Sequence, residues 1–170
     1  GADTWEYDGV EWIARQPASS PPWRHQFAMT FDENTETSVI FGGHNGQYST
    51  HFDTWDWNGT NWTERPTTGY PSPGWYGSLA FYGLLGRPVL VGGLTSGTGI
   101  VNTQVLDGTA WQSLEFSEAP SMRYGTPLVC DDAHGTCVLF GGKQYNGGEF
   151  QDTWLLAYGD ANSAAEACDG

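Results

Sequence analysis

Apolar or aromatic side chains alternate with polar ones in short runs along the chain, and Gly, Asn, Asp or Pro residues separate these runs. Alternation with a period of two predicts β-strands, because successive side chains of a strand point to opposite faces of a sheet. The runs fall into groups of two, four, four and three, thirteen in all. The pattern therefore predicts an all-β protein of antiparallel strands joined by tight turns.

The groups repeat one another. A diglycine ends an apolar run three times, and the spacing between successive diglycines is 50 and then 49 residues. Tryptophans keep the same step. We interpret the glycines as sites of close backbone approach or left-handed turns, and the tryptophans as packing residues between sheets. These structural positions are Gly42, Gly43, Gly92, Gly93, Gly141 and Gly142, with Trp5, Trp55, Trp154, Trp12, Trp62 and Trp111.

With this period, the diglycine and the trailing aromatic pair, the chain resembles bacterial kelch repeats related to the galactose-oxidase-type propeller. The resemblance implies a β-propeller of four-stranded antiparallel blades, of which the chain holds about three, or half a propeller. The expected domain is 1–158, with blade units 1–16, 22–66, 73–117 and 121–158. We expect residues 159–170 to form a flexible tail or linker.

The four strands of a complete blade are named A to D. The first unit holds only C and D, and the last holds only A, B and C. The pairs Asp8-Gly9, Asn58-Gly59 and Asp107-Gly108 lie between C and D and predict type I′ turns.

Thirteen strands do not close a ring, since closed propellers have about 4–8 blades of four strands. An open array leaves unpaired strand edges and an uncovered apolar face. We therefore expect either a homodimer that completes a propeller or further blades in a longer chain.

The formal net charge is −14, with only six Lys and Arg residues. Nucleic-acid binding needs clustered positive charge, so we expect no nucleic-acid partner. No apolar run approaches the roughly 20 residues of a membrane span. The acidity is typical of a secreted, periplasmic or cell-surface protein.

Cys130 ends a strand A and Cys137 begins the following strand B, so a cross-strand disulfide is expected. Such a bridge would indicate an oxidising compartment. The alternative is a pair of reduced thiols facing each other. Cys168 is then left over, which suggests a partner beyond the chain or on a second copy.

Metal and cofactor chemistry has little support. His44 and His51 lie seven residues apart in one loop, and His134 follows Asp131 and Asp132. We interpret these histidines as exposed loop residues. Galactose-oxidase-like copper chemistry requires a crosslinked Tyr–Cys group with further Tyr and His ligands, and the chain has no recognisable motif for it. We expect no cofactor, no metal and no catalytic residue.

In a propeller, the B-to-C loops and the D-to-A connections emerge on one face, here called the loop face. Arg24 and Arg123 match the family's strand-A arginine, which lies near the ligand in several kelch binders, and Trp75 stands in its place in the middle repeat. Aromatic residues with scattered Arg are typical of binding surfaces, although ordinary loop residues are the alternative. The expected loop-face residues are Trp23, Arg24, His44, Tyr48, Trp75, Tyr76, Arg123, Tyr124, Lys143 and Tyr145.

Two classes of function follow. The preferred one is a non-enzymatic repeat module that self-associates and binds a protein or glycan. The other is part of an extracellular enzyme, galactose-oxidase-like or carbohydrate-active, whose active site lies in other blades. A repeat of this kind fixes a fold better than a function.

Overall fold

A computed structural model describes residues 2–46, 49–69, 71, 74–95, 98–99 and 102–157. All regular structure in this part of the chain is β-structure, and the sheets are antiparallel. The all-β prediction is confirmed. Since these residues form no helix, none of them belongs to a helix that could cross a lipid bilayer.

The strands form four successive units along the chain. An N-terminal hairpin pairs β1 (Thr4–Tyr7) with β2 (Trp12–Arg15). The first sheet has the order β3 (Ala28–Asp32), β4 (Thr37–Phe41), β5 (Thr54–Trp57) and β6 (Trp62–Arg65).

The second sheet has the chain order β7 (Ser78–Tyr82), β8 (Arg87–Val91), β11 (Thr103–Asp107) and β12 (Ala110–Leu114). A small hairpin of β9 (Leu94–Thr95) and β10 (Thr98–Gly99) lies between β8 and β11. The third sheet holds β13 (Leu128–Asp131), β14 (Thr136–Phe140) and β15 (Thr153–Ala157).

All thirteen expected strands lie where the alternation predicts them. The three A strands are shorter than expected, because the residues before Ala28, Ser78 and Leu128 leave the ladder for the loops described below. The hairpin of β9 and β10 was not predicted. Residues 158–170, which include the expected tail and Cys168, lie outside the described residues.

The type I′ prediction is wrong for all three C-to-D turns. Asp8, Asn58 and Asp107 do not have positive φ, although the glycine after each does. In the first two turns the side chain provides the reason: Oδ1 of Asp8 accepts hydrogen bonds from the N–H groups of Val10 and Glu11. Asn58 makes the same two bonds in the next unit. Such a turn needs no left-handed residue at the Asx position.

The sheets stack in chain order through one repeated contact. We call the side of each unit toward the preceding unit its N-face and the opposite side its C-face. Val39 and Phe41, on the C-face of the first sheet, form one buried cluster with Leu79, Leu90 and Trp111 on the N-face of the second.

The next contact is equivalent. Val89 and Val91, on the C-face of the second sheet, pack with Leu128, Cys137 and Leu139 of the third. Tryptophan hydrogen bonds recur at these contacts as well. Trp62 Nε1 donates to Thr4 Oγ1 of the hairpin at 2.8 Å, and Trp111 Nε1 donates to Thr54 Oγ1 of the first sheet at 3.2 Å.

The first glycine of two diglycines is required by backbone contact between sheets. A Cβ on Gly42 would overlap the carbonyl oxygen of Gly74, and one on Gly92 would lie 2.8 Å from the carbonyl oxygen of Arg123. Both glycines also have positive φ. Sheet-to-sheet approach and backbone conformation therefore both call for glycine.

Cys130 and Cys137 lie directly opposite each other on β13 and β14 and form a disulfide. This prediction is confirmed. Cys137 is fully buried in the cluster between the second and third sheets. The bridge is compatible with an extracellular location, where disulfides persist.

Candidate ligand-binding face

Three equivalent backbone rungs build the loop face. In each repeat, the residue after the diglycine pairs with a residue just before strand A: His44 with His25, Leu94 with Trp75, and Lys143 with Tyr124. The first and third rungs each have two N–H···O bonds of 3.0–3.1 Å. The rungs hold the B-to-C loops against the segments that lead into the A strands, so side chains distant in sequence share one surface.

A second set of backbone bonds joins neighbouring rungs. The N–H of Tyr76 donates to the carbonyl of Gln26 at 2.9 Å, and the N–H of Gly125 donates to the carbonyl of Tyr76 at 3.2 Å. These three residues have φ of 59°, 60° and 61°. A left-handed conformation is unfavourable for bulky residues such as Tyr. The bonds between repeats stabilise it here, and strain of this type is common at functional sites.

A hydrogen-bonded chain of side chains links the first two repeats. His44 Nε2 lies 2.5 Å from Gln26 Oε1, and Gln26 Nε2 donates to Tyr76 Oη at 2.5 Å. The N–H of Gly46 donates to His44 Nδ1 at 3.1 Å, so Nδ1 is an acceptor. The proton of the neutral imidazole must then sit on Nε2, where it donates to Gln26. The network fixes both the tautomer of His44 and the orientation of the amide.

Aromatic rings flank this chain. The ring centroids of His25 and His44 are 3.9 Å apart, and those of His44 and Trp75 are 5.4 Å apart. Tyr76 and Tyr124 continue the surface into the third repeat, with centroids 5.4 Å apart. We call these residues, with Gln26 and Trp23, the loop-face cluster.

Trp23 borders the cluster at its first repeat. A Cβ built on Gly46 would lie 3.6 Å from Trp23 Cη2 and 3.7 Å from His25 Cε1. Both distances are ordinary van der Waals separations, so Gly46 lies next to both rings. The Trp23 side chain is exposed.

His44 and His51 favour the neutral form of the imidazole, because their pKa values are lowered. Burial lowers the pKa of His44, and the nearby His25 and His51 lower it further. Burial also lowers the pKa of His51, with a further lowering from Arg24 that Asp53 opposes. The Nε2 atom of His51 is buried without a hydrogen-bond partner. A neutral imidazole at both positions can accept or donate a hydrogen bond but adds no charge to the face.

Arg24 and Arg123 are held inside the fold. Arg123 Nη1 and Nη2 donate to the two carboxylate oxygens of Asp152 at 2.6 and 2.8 Å, and Nη1 also donates to the carbonyl of Gly141. Trp154 Nε1 binds the same carboxylate at 2.7 Å. Arg123 is only 2% exposed.

The first repeat has the same arrangement. Arg24 donates to both carboxylate oxygens of Asp53 and to the carbonyl of Gly42, while Trp55 donates to Asp53. Both guanidiniums are engaged in the fold, and we leave them out of the candidate site.

The middle repeat has no arginine at this position, and the residue that replaces the arginine is not the one expected from the sequence. Because Trp75 occupies the rung position of His25 and Tyr124, the residue that aligns with Arg24 and Arg123 is Gly74. The assignment of Trp75 to the arginine position is therefore wrong. The carbonyl of Gly74 accepts from Gly43 N, as that of Arg123 accepts from Gly93 N, and the backbone contact is kept without the guanidinium.

The remaining expected residues are Lys143, Tyr145 and Tyr48. Lys143 is exposed, and its Nζ lies 3.1 Å from Glu149. Tyr145 is exposed in the loop that follows. Tyr48 lies outside the described residues.

Two members of the cluster, His25 and Gln26, were not predicted from sequence. Their signal was available in the repeat spacing, since they stand one step before Trp75 and Tyr76. No group of three or more metal-ligating side chains occurs within the described ranges. A scan of protein-family models and a search of curated proteins found no match to the chain.

Proposed function

We propose that the chain is a non-enzymatic kelch-repeat module, an incomplete β-propeller that self-associates to complete its ring and binds a ligand on the loop face. The kelch resemblance supports the propeller, together with the repeated stacking of four units in chain order. The loop-face cluster supports ligand binding, because it is a preorganised group of aromatic, imidazole and amide side chains.

Charge favours a neutral ligand. All six basic side chains of the chain form ion pairs with carboxylates. The protein carries a net charge of −14, so an anionic ligand would meet repulsion and no free cation.

A glycan fits the cluster best. Its ring faces are apolar enough to stack on Trp23 and Trp75, and its hydroxyls match the hydrogen-bonding capacity of Gln26, His44 and Tyr76. A protein segment with neutral side chains is the second ligand class that this surface would accept.

A panel of neutral glycans, followed by titration calorimetry, tests the ligand proposal. Trp75→Ala should weaken binding of the selected glycan by about tenfold or more, a loss of about 1.4 kcal/mol. Phe116→Ala, which removes an exposed aromatic ring outside the cluster, should leave affinity unchanged. Loss of binding only on changes near Asp8, Asn58 or Asp107 would assign the ligand to the opposite face, and binding to peptides alone would replace the glycan.

The exposure of equivalent tryptophans in successive units supports self-association. Trp12 is 66% exposed, whereas Trp62 and Trp111, the equivalent residues of the next two units, are 7% and 4% exposed under their neighbours. Exposed aromatic surface at a position built for stacking favours association. Sedimentation at micromolar concentration should report a mass near twice the 18.6 kDa of the chain. A well-folded monomer at all concentrations would overturn self-association.

A further inference from the structure

The N-terminal hairpin covers only part of the N-face of the first sheet. Trp57 and Trp62 are buried there and donate hydrogen bonds to the hairpin. Met29 and Phe31, on β3 of the same face, are 50% and 52% exposed. The residue equivalent to Met29 is Leu79 in the second sheet, where it is 6% exposed. The uncovered part is the one that an inner pair of strands, A and B, would cover.

The third sheet also has an uncovered apolar surface, but on its C-face. Val129, Val138 and Phe140 lie on the C-face of β13 and β14, and all three are exposed. Phe140 is 54% exposed, whereas Phe41 at the same position of the first sheet is 2% exposed beneath the second sheet. No unit within the described residues covers this face of the A-B pair.

The two uncovered surfaces match the contact already seen twice. In both internal contacts, C-face residues of one A-B pair cover N-face residues of the next strand A: Val39 and Phe41 lie over Leu79, and Val89 and Val91 lie over Leu128. Val138 and Phe140 of the third sheet are equivalent to Val39 and Phe41, which cover the next strand A. Met29 of the first sheet is equivalent to Leu79, which is covered. A second copy of the chain thus carries the A-B pair that Met29 and Phe31 require.

Strand β1 shares a sequence triplet and a tryptophan–aspartate hydrogen bond with β15. Each strand begins at the Thr of an Asp-Thr-Trp triplet. Trp5 Nε1 donates to Asp3 at 2.9 Å, as Trp154 Nε1 donates to Asp152 at 2.7 Å. Asp152 receives its arginine from the segment before strand A of its own sheet, whereas no strand A adjoins the hairpin in the described part of the chain. Among the described strands, β1 pairs only with β2.

We propose that two copies exchange strands: β1 of one copy replaces β15 beside β14 of the other, and the reciprocal exchange occurs at the second junction. This proposal rests on the self-association proposed above and specifies its geometry. Arg123 then binds Asp3 of the second copy in place of Asp152. Each exchanged blade consists of β13 and β14 from one chain and β1 and β2 from the other.

Simple stacking of the hairpin on the intact third sheet would be a poorer solution. The hairpin has only C and D strands, so it would lie over the outer part of that sheet. Val129, Val138 and Phe140 would stay in water, and so would Met29 and Phe31 of the second copy. Exchange covers all five and gives six blades with two-fold symmetry, within the usual range for closed propellers.

Disulfide trapping tests the exchange. In the exchanged blade Thr4 of one copy takes the place of Thr153, which lies opposite Phe140 in the register of β14 and β15. In a Cys168→Ser background, a mixture of Thr4→Cys and Phe140→Cys chains should oxidise to a species of twice the chain mass that contains one chain of each kind. The matched control is a single chain with Phe140→Cys and Thr153→Cys, which should not close an internal bridge within the dimer.

The outcomes separate the two proposals. A dimer by sedimentation in which Thr4→Cys and Phe140→Cys do not crosslink, while the Phe140→Cys and Thr153→Cys chain closes internally, would overturn exchange and leave self-association standing. A monomer would overturn both. Met29→Glu should raise the dissociation constant of the dimer at least tenfold, whereas Leu84→Glu, at an exposed position in the turn between β7 and β8 of the second sheet, should not.

Discussion

Arg123 and Asp152 are joined by two parallel hydrogen bonds of 2.6 and 2.8 Å, and a buried guanidinium thereby ties the segment before β13 to the start of β15. The bonds lie outside the regular ladder of the sheet, and Trp154 Nε1 donates a further hydrogen bond to Oδ2 of Asp152, the oxygen that also accepts from Arg123 Nη2. Bidentate pairing of this kind adds geometric specificity to charge attraction. Because Arg24 and Asp53 repeat it, the pair is a structural element of the repeat.

Removal of the buried guanidinium should destabilise the protein. We expect Arg123→Ala to lower the free energy of unfolding by about 3 kcal/mol, the lower end of the range for breaking a buried pair, since Asp152 is partly hydrated. Arg87→Ala breaks an exposed pair with Asp107, N···O distance 3.3 Å, and should cost less than about 1 kcal/mol. Urea unfolding of both variants measures the difference, and equal losses would contradict the structural role.

The same pair predicts how stability depends on acid. Hydrogen bonds from Arg123 lower the pKa of Asp152 from 3.8 to about 2. A carboxyl whose pKa is lower in the folded state stabilises the fold above its unfolded pKa, and this stability is lost as pH falls from about 4 to about 2. In the Met29→Glu background, which disfavours strand exchange and keeps Asp152 as the partner of Arg123, urea midpoints between pH 2 and 5 should fall less steeply for Asp152→Asn than for the parent variant. Asp107→Asn is the control at an exposed ion pair, and an unchanged slope for Asp152→Asn would refute the assignment.

Substitution of alanine for a glycine of the diglycine should reduce the free energy of unfolding through a steric clash, in addition to the effect of backbone strain. Gly92 and Gly59 both have positive φ, but only at Gly92 would a Cβ meet another sheet, 2.8 Å from the Arg123 carbonyl oxygen. Each Gly→Ala variant should lose about 1–2 kcal/mol from the left-handed conformation. Gly92→Ala should lose about 1–3 kcal/mol more, because the third sheet must move. Thermal or urea unfolding of the two variants gives this difference, and equal losses would mean that the sheets are not in close contact there.

The disulfide predicts a redox-dependent stability. Closure of a loop with a separation of seven residues contributes about 2.5 kcal/mol on the chain-entropy model. The variant with Cys130→Ala and Cys137→Ala should lose about this much and should no longer respond to reductant. A thiol assay on the unfolded, unreduced protein should find one free cysteine for each chain if Cys168 is unpaired. Labelling of Cys130 or Cys137 in that assay would contradict the bridge.

The sequence alone determined most of the local structure. Period-two alternation is a property of neighbouring residues, so it located β3 to β8 and their counterparts, and the 50-residue step aligned them. The placement of Cys130 and Cys137 on adjacent strands was sufficient to predict their disulfide. Turn composition located the hairpins but gave the wrong turn type, because the side-chain bonds of Asp8 and Asn58 compete with the left-handed alternative.

Only the tertiary structure decided what each conspicuous residue contacts. Arg24 and Arg123 had the same sequence signal as surface-binding residues, but their carboxylate partners stand 29 residues away and draw them into the fold. The loop-face cluster joins Gln26 to Tyr76 across 50 residues, and the left-handed backbone at both positions depends on a bond between repeats. Contacts of this kind have no local periodicity, so a pattern of neighbouring residues does not encode them. The same reason explains why equivalent tryptophans, Trp12 and Trp62, differ so greatly in exposure: burial depends on whether a neighbouring sheet is present.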